Sequence, residues 1–277
     1  MTAPDTITPE KLARLIGRPD QPVLIDLRLD EDFSADPHLV PGAVRRSHRR
    51  LEEWAPALRG RRTVMICHQG LKLSHGAAAW LRHEGAQAEV LEGGAVAWKD
   101  AKLPTVAAAA IPPRDPAGRT VWVTRARPKV DRIACPWLIR RFVDREAVFL
   151  FVAPAEVMGV AERFGATPFD VDAENVLFTH RGELCSFDTM IEVFGLSDFA
   201  ALSHLARIVR GADTARPDLA PEAAGLLAAS LGLSRMFADD LAQLDAGMLL
   251  YDAFFRWCRD ARDETHDWTG RERSARP

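Results

Sequence analysis

The feature that most constrains this fold is an apolar run that ends in a cysteine and is followed by a short loop. The run covers residues 63–67, the loop contains Gly70 and Lys72, and an amphipathic segment begins near His75. This order predicts a strand, a loop and a helix, with Cys67 at the carboxyl end of a buried strand. Reactive groups and ligands of open α/β sheets collect at that end, so Cys67 is a candidate reactive group.

Two backbone effects favour the thiolate form of Cys67. A loop that curls around the sulfur points successive N–H groups at it, and the following helix adds the positive end of its dipole. The thiolate is the nucleophilic form of cysteine. The alternative is that Cys67 is a small buried hydrophobic residue, as most free cysteines are. Because the glycine and the lysine in the loop have no packing purpose, the sequence favours the reactive interpretation.

Short apolar segments alternate with helical segments through the first third of the chain. The helical segments cover residues 51–58, 75–84 and 93–101, and the apolar segments between them are only three to seven residues long. Parallel strands that are buried on both faces produce this pattern. The sequence therefore predicts an α/β domain whose parallel sheet is covered by helices on both faces.

A segment rich in proline and alanine separates this domain from the rest of the chain. It covers residues 106–119 and is a predicted linker between a first domain, residues 1–105, and a second domain, residues 120–260. The second domain begins with strand and helix patterns and turns helical after Ser186, which predicts an α+β domain that is mostly helical towards its C-terminus. Residues 261–277 are expected to form a mobile polar tail.

Composition and charge argue against several classes of partner. The formal net charge of −3 provides no general basic field for nucleic acid or an anionic membrane, and neither partner is expected. No apolar run approaches the length of a membrane span, and residues 1–5 lack the features of a signal peptide. The 4 cysteines are scattered without a CxxC pair, which predicts reduced thiols and a cytoplasmic protein. No cofactor is expected.

Four motifs stand in the first domain in a fixed order. They are Asp26-x-Arg28, His38 before Pro41-Gly42-Ala43, Cys67-x-x-Gly70-x-Lys72, and Leu91-x-Gly93-Gly94-x-x-x-Trp98. Together they resemble a rhodanese domain over about residues 5–105. The resemblance implies a sulfurtransferase that moves sulfane sulfur through a persulfide on a nucleophilic Cys67. Its partners would be a small-molecule sulfur donor, such as thiosulfate or a persulfide, and a thiol acceptor.

The resemblance also implies roles for other residues of the first domain. Asp26 and Arg28 would be supporting residues, and the active-site loop would consist of His68, Gln69, Gly70, Leu71 and Lys72. The family usually has arginine where Lys72 stands and a serine directly after it, whereas here Leu73 precedes Ser74. Phosphatases on this fold have a longer loop, so the short loop favours a sulfur-sized substrate over phosphate.

The second domain carries more charge than a core segment should. Charged residues surround Cys135 in a segment whose Ile133, Trp137 and Leu138 require burial. Buried charges must be paired or must face a cavity. We therefore predict a polar, ligand-sized pocket formed by Arg127, Asp131, Arg132, Cys135, Cys185, Asp188 and Arg210.

Three alternatives for these charged residues stay open. Convergent arginines would make an oxyanion or carboxylate site, which the excess of arginine favours. A metal site of His180, Cys185 and Asp188 is the weaker alternative because its spacing matches no zinc pattern, and no metal is predicted. The third alternative is a set of separate surface ion pairs.

Three stretches of the second domain resemble the carboxyl-terminal domain of the chromate-resistance protein family. They are residues 127–141, 185–188 and 208–213, and the resemblance covers residues 120–258. It implies a role in chromate resistance, with an oxyanion such as chromate as a further partner. We therefore expect a sulfurtransferase coupled to a chromate-resistance domain. The alternative is a non-catalytic oxyanion or redox sensor, or a regulatory protein, for the chromate response.

Overall fold

The computed structural model of the chain describes residues 5–265. The strands are β1 Thr6–Ile7, β2 Val23–Asp26, β3 His38–Leu39, β4 Ala43–Arg45, β5 Arg62–Ile66, β6 Gln87–Leu91, β7 Val106–Ala107, β8 Val121–Arg125, β9 Val148–Val152 and β10 Thr167–Pro168. The α-helices are α1 Pro9–Ala13, α2 Asp30–Ala35, α3 Leu51–Trp54, α4 Lys72–His83, α5 Gly94–Asp100, α6 Asp131–Phe142, α7 Val157–Phe164, α8 Ser186–Val193, α9 Ala200–Asp213, α10 Ala223–Met236 and α11 Asp240–Asp260. The predicted polar tail lies outside the described residues from position 266 onward.

Five strands of the first domain form one parallel sheet in the order β1-β6-β5-β2-β4. Alternate residues of β5 pack on opposite faces of this sheet. Val64 and Ile66 join the hydrophobic cluster that contains Trp98 of α5, whereas Met65 joins the cluster that contains Leu81 of α4. The prediction of a parallel sheet covered by helices on both faces is therefore confirmed.

The proline- and alanine-rich segment after the first domain is attached to both domains. Its first residues form β7, which pairs antiparallel with β3 of the first domain. Arg114, further along the segment, forms an ion pair of 3.0 Å with the buried Asp144 of the second domain. The segment is thus held by hydrogen bonds and charge along its length.

Three parallel strands in the order β10-β8-β9 form the sheet of the second domain. The sequence favours a strand at residues 176–179, but Phe178 there makes only an isolated bridge and packs against Trp122 and Phe194. Burial of an aromatic ring, and not strand pairing, accounts for the apolar pattern. The two-residue β10 takes the place beside β8.

Helices α8, α9 and α11 pack on α6, and α10 packs on α9 and α11, which completes the predicted α+β domain. Helix α6 begins at Asp131, so Pro136 lies inside the helix and not at its start. Trp137 of α6 is fully buried, and its Nε1 donates to Asp252 of α11 at 2.8 Å. Arg141 donates to both carboxylate oxygens of Asp252 at 2.8 Å. No helix in residues 5–265 has both the length and the hydropathy to cross a bilayer.

One hydrophobic cluster crosses the boundary between the two domains. It contains Ile16 of the first domain with Phe142 of α6 and Phe255 of α11. Gly17 lies at this contact, because a Cβ added there would be 2.5 Å from Phe142 Cζ and 2.8 Å from Phe255 Cε1. The amide of Gly42 also donates to the carbonyl of Phe142 at 2.6 Å. The two domains therefore share a core.

We predict that Gly17→Ala destabilises the protein more than Gly60→Ala does. Both glycines have positive φ, 78° and 73°, so alanine adds similar backbone strain of roughly 1–2 kcal/mol at either position. Among the described residues, nothing lies within 4 Å of a Cβ at Gly60. Overpacking against the two phenyl rings should add about 1–3 kcal/mol at Gly17 alone. Denaturant unfolding measures both losses, and equal losses would contradict a shared core at this glycine.

Candidate functional site

Cys67 directly follows β5 and lies beside the amino end of α4. Its side chain is buried, and Sγ is 3.1 Å from the Oγ of Ser74. The Ser74 hydroxyl donates to the carbonyl of Leu71 at 3.0 Å. Because no side chain caps α4 at Leu71, its first amides are not taken up by a capping group. These amides and the helix dipole can stabilise a thiolate or a persulfide.

Two glycines fix the shape of the Cys67 loop. Gly70 and Gly94 have positive φ, 66° and 62°. A Cβ on Gly94 would lie 2.3 Å from the carbonyl oxygen of Cys67 and 2.5 Å from the amide of Gly70. The amide of Ala95 donates to the same Cys67 carbonyl at 2.9 Å. The backbone at the start of α5 therefore holds the loop, which gives the Gly93-Gly94 motif its physical purpose.

Most other side chains of the loop are exposed. They are those of His68, Gln69, Leu71 and Lys72. Nδ1 of His68 lies 3.9 Å from a carboxylate oxygen of Asp32. Lys72 is the first residue of α4 and supplies positive charge next to the loop. The inserted Leu73 packs against the cluster under α4, and Ser74 nevertheless reaches the Cys67 sulfur.

Asp26 and Arg28 form a buried ion pair at the carboxyl end of β2. Arg28 Nη2 lies 2.6 Å from Asp26 Oδ2, and both side chains are buried. The Arg28 guanidinium also donates to the carbonyls of Asp36 and His38, at 3.0 and 2.5 Å. The pair therefore holds the segment that leads into β3. It does so from β2, the strand that pairs with β5. These contacts suit the supporting role that the resemblance implies.

In the second domain, Asp131 links α6 to α8. Its carboxylate is buried and accepts hydrogen bonds from the amides of Ser186 and Phe187, at 2.7 and 3.0 Å. Those amides open α8, so the charge of Asp131 interacts favourably with the positive end of that helix. Asp131 therefore caps a helix that is distant in sequence, together with the local capping box of Cys185 and Asp188.

Asp170 and His180 complete a charged cluster around Asp131. Asp170 lies 2.9 Å from Arg125 and 3.2 Å from Arg132. Nε2 of His180 lies 3.3, 3.4 and 3.6 Å from carboxylate oxygens of Asp170, Asp213 and Asp131, in that order. We call these six residues the aspartate–histidine cluster: Arg125, Asp131, Arg132, Asp170, His180 and Asp213. When His180 is protonated and Asp131 is ionised, the three cations of the cluster balance its three carboxylates.

The environment shifts the pKa values of this cluster in opposite directions: those of His180 and Asp131 rise, whereas that of Asp170 falls. Hydrogen bonds to Asp170 and Asp213 raise the pKa of His180 to about 10. Burial, together with Asp213 and Asp170, raises the pKa of Asp131 to about 8. The ligand atoms of Asp131, Asp170 and His180 lie within 4.8 Å of one another, which is close enough to share a divalent cation. Since a metal needs neutral His180, a proton and a metal ion would compete for this position.

The other predicted pocket residues pair beside this cluster. Cys135 Sγ lies 3.7 Å from Asp131, and Cys185 Sγ lies 3.2 Å from Asp188. Burial is the largest cause that raises the pKa of both thiols, so both are protonated at neutral pH. Arg210 lies 3.7 Å from Asp188. The sequence suggested a possible metal site of His180, Cys185 and Asp188. In the structure Cys185 and Asp188 contact each other, and His180 belongs to the aspartate–histidine cluster.

Arg127 does not join these residues. Its guanidinium donates to the carbonyls of Phe237 and Ala238, at 2.9 and 3.2 Å, and to that of Ser234. Its amide donates to Asp240 at 3.0 Å. Arg127 therefore fixes the turn between α10 and α11.

Comparisons with known proteins match both halves of the chain. A family model described as the C-terminal domain of ChrB matches residues 122–258, and a model of the rhodanese-like domain matches residues 8–101. The protein ChrB of Cupriavidus metallidurans is 35% identical over 153 residues, which are 52% of this chain and 43% of that protein. The chain thus matches less than half of that relative's length.

The chain contains a rhodanese-like domain and a ChrB-type C-terminal domain. Two solved structures also resemble the rhodanese-like part. A thiosulfate sulfurtransferase from Pseudomonas aeruginosa is 29% identical, with a TM-score of 0.31. The match covers 36% of this chain and 19% of that protein. A protein from Rhodopseudomonas palustris, described as a possible tyrosine phosphatase, is 28% identical, with a TM-score of 0.33. The match covers 36% of this chain and 83% of that protein.

Sequence reasoning missed Asp170 in the ChrB-type domain. The residue follows an apolar stretch that includes Phe169 and the two residues of β10. Because β10 has only two residues, the sequence around Asp170 has almost no periodicity, and no local pattern marks it as a site residue. Asp213 lies on α9, and only the fold brings it to His180.

We predict that His180→Gln loses stability in a pH-dependent way. The raised pKa of His180 stabilises the folded state fully below its ordinary pKa of 6.5, and this contribution disappears as the pH rises through about 10. The difference in unfolding free energy between parent and variant should therefore be largest near pH 6 and shrink towards pH 10. Urea unfolding in EDTA at each pH measures it.

The matched control for this experiment is His83→Gln, on the exposed surface of α4. It should leave the pH dependence of the parent unchanged. A constant offset between parent and His180→Gln across the whole range would contradict the protonated cluster.

Proposed function

We propose that the rhodanese-like domain transfers sulfane sulfur through a persulfide on Cys67. The observation that supports this most is the position of the Cys67 sulfur, at the uncapped amino end of α4 in a loop fixed by Gly70 and Gly94. That position favours a sulfur anion, which is both the nucleophile and the product of the first step. The Cys67 loop is shorter than that of phosphatases on this fold, so it suits a single sulfur atom better than a phosphate group.

The reaction has two displacement steps. The Cys67 thiolate attacks the outer sulfur of thiosulfate, the S–S bond of thiosulfate breaks, and sulfite leaves with the electron pair. This forms the Cys67 persulfide. The thiolate of an acceptor then attacks the terminal sulfur, and the Cys67 thiolate leaves. No oxidant or reductant is consumed in these two steps.

Ser74 and Lys72 have different roles in this proposal. The Ser74 hydroxyl has one proton, which is donated to the Leu71 carbonyl in the structure. When Cys67 is a thiolate, the hydroxyl can turn towards the sulfur 3.1 Å away and stabilise its charge. Lys72 is exposed beside the loop and supplies charge to attract an anionic donor.

We also propose that the ChrB-type domain couples this activity to chromate resistance. The support is the family match at residues 122–258 in the same chain as the rhodanese-like domain. The shared core, with Phe142 and Phe255 packed near Gly17, provides a rigid contact through which a change in one domain can bias the other. The rival function, a sensor, would form a Cys67 adduct without turnover.

We predict that Cys67→Ser abolishes sulfur transfer while the protein stays folded. Serine fits the same space, but its hydroxyl does not ionise at neutral pH. Steady-state transfer from thiosulfate to cyanide or a thiol measures the loss, which should exceed about a thousandfold. Cys258→Ala, in the core of α11, is the control and should keep the parent activity. Cys67→Ser activity above a tenth of the parent's would remove Cys67 from this role.

We predict that Lys72→Ala lowers kcat/KM for thiosulfate about tenfold and leaves an uncharged organic polysulfide donor almost unaffected. The physical reason is the lost attraction between the ammonium group and a dianion. Lys72→Arg should restore thiosulfate use, and Lys11→Ala, an exposed lysine on α1, should have no effect. Equal losses with both donors would mean that Lys72 only shapes the loop.

A further inference from the structure

A cavity of about 320 Å³ lies between the rhodanese-like and ChrB-type domains. Six arginines line it, three from each domain. They are Arg18, Arg46, Arg61, Arg140, Arg141 and Arg145. Neither the Cys67 loop nor the aspartate–histidine cluster contributes to its wall.

The carboxylates in the cavity wall do not balance these arginines. Asp144 and Glu146 are the acidic residues of the wall. Asp144 is already engaged, because it pairs with Arg114 at 3.0 Å and accepts from the amide of Thr120 at 2.6 Å. Glu146 lies 3.7 Å from Arg61. Within the wall itself, six arginines therefore face only two carboxylates.

Three of the arginines have carboxylate partners outside the wall. These pairs are Arg18 with Asp20 at 2.7 Å, Arg140 with Asp245 at 3.2 Å, and Arg141 with Asp252 at 2.8 Å. The two remaining arginines, Arg46 and Arg145, form no ion pair with a carboxylate within residues 5–265. Both residues are exposed, so two solvent-accessible guanidinium groups of one cavity are left without a counter-charge from the described chain.

Arg145 shows the consequence of this imbalance. It donates to the carbonyls of Gln21 and Pro19, at 2.6 and 3.2 Å, which orients the guanidinium without neutralising it. Burial, and then repulsion from Arg61 and Arg141, lowers its pKa. An anion in the cavity would relieve this repulsion, since guanidinium groups bind oxyanions in a bidentate fashion.

Apart from Gln21, the rest of the wall is apolar. It includes Val23, Trp54 and Leu58 of the rhodanese-like domain. An inorganic oxyanion would leave these side chains unused, whereas an organic body would cover them. The volume lies at the lower end of the range of small-molecule sites, which is ~300–1,000 Å³.

We propose that this cavity binds a small organic anion with at least two negatively charged oxygen groups, such as a nucleoside diphosphate. Its acidic groups pair with Arg46 and Arg145, and its body packs on the apolar wall near Trp54. Because both domains contribute arginines, the anion stabilises their contact. The site is assigned to an effector and not to a sulfur donor.

The position of the cavity relative to Cys67 supports this assignment. Val23 and Arg61 stand at the amino ends of β2 and β5, whereas Cys67 follows the carboxyl end of β5. A strand of 5 residues separates the two ends, which is ~16 Å at about 3.3 Å per residue. A ligand in the cavity therefore does not reach the sulfur, and the proposal is independent of sulfur transfer.

Calorimetric titration of the full chain with ADP, in magnesium-free buffer, tests the proposal. We expect saturable binding that weakens with added salt, and a rise in the unfolding temperature of the full chain. Adenosine, which lacks the phosphates, should not bind. Arg46→Met should weaken ADP binding about tenfold or more, as expected for the loss of a charged hydrogen bond. Arg145→Met should do the same, with its folding checked by denaturant unfolding.

Arg49→Met is the matched control, because Arg49 is a nearby exposed arginine outside the cavity wall. It should bind ADP like the parent. Three results would each overturn the proposal: no ADP binding at millimolar concentration, adenosine binding as tight as that of ADP, or equal binding by Arg46→Met and the parent. Binding of pyrophosphate without any binding of ADP would overturn the assignment to an organic anion.

Discussion

The contact of two phenyl rings with one glycine holds the architecture together. Phe142 at the end of α6 and Phe255 of α11 pack where Gly17 leaves room for them, and they extend the core of one domain into the other. Truncation of a buried phenylalanine costs about 3–5 kcal/mol, a large part of the stability of a typical domain. The two family domains are therefore one folding unit at this contact, although their sequences match separate families.

This contact also decides which surfaces stay open. The amide of Gly42 bonds to the Phe142 carbonyl, so the end of α6 lies at the amino end of β4. At the opposite end of the sheet, most side chains of the loop that follows Cys67 are exposed to solvent. The arginines in the last turn of α6 and just after it line the cavity together with those of the first domain. The contact between the domains thus leaves the Cys67 loop at one end of the sheet and places the arginine-lined cavity at the other.

The sequence was sufficient for features that depend on neighbouring residues. The strand, loop and helix around Cys67 follow from the apolar run and from the glycine pattern, because backbone conformation there is set locally. Gly94 is the partial exception. Its motif is visible in the sequence, but its purpose becomes clear only when a Cβ there is placed 2.3 Å from the Cys67 carbonyl.

Features that depend on the approach of distant segments could not be predicted. Asp170 joins Asp131 and His180 only because β10 pairs with β8, and a two-residue strand leaves almost no periodic signal. Arg127 lies next to the other charges in sequence, yet its side chain extends to the α10–α11 turn. The excess of charge predicts that these residues either pair or face a cavity, and the partners of the pairs that form come from the fold.

The central claim, that Cys67 carries the transferred sulfur, is tested most directly by mass spectrometry of the full chain after thiosulfate. The account predicts one added sulfur atom on Cys67 and none on the other cysteines, because burial raises the pKa of Cys135 and Cys185 well above the ordinary value and that of Cys258 to about 12. An acceptor thiol should remove the added sulfur. Absence of the adduct from Cys67, or an adduct there that no acceptor discharges, would contradict the account.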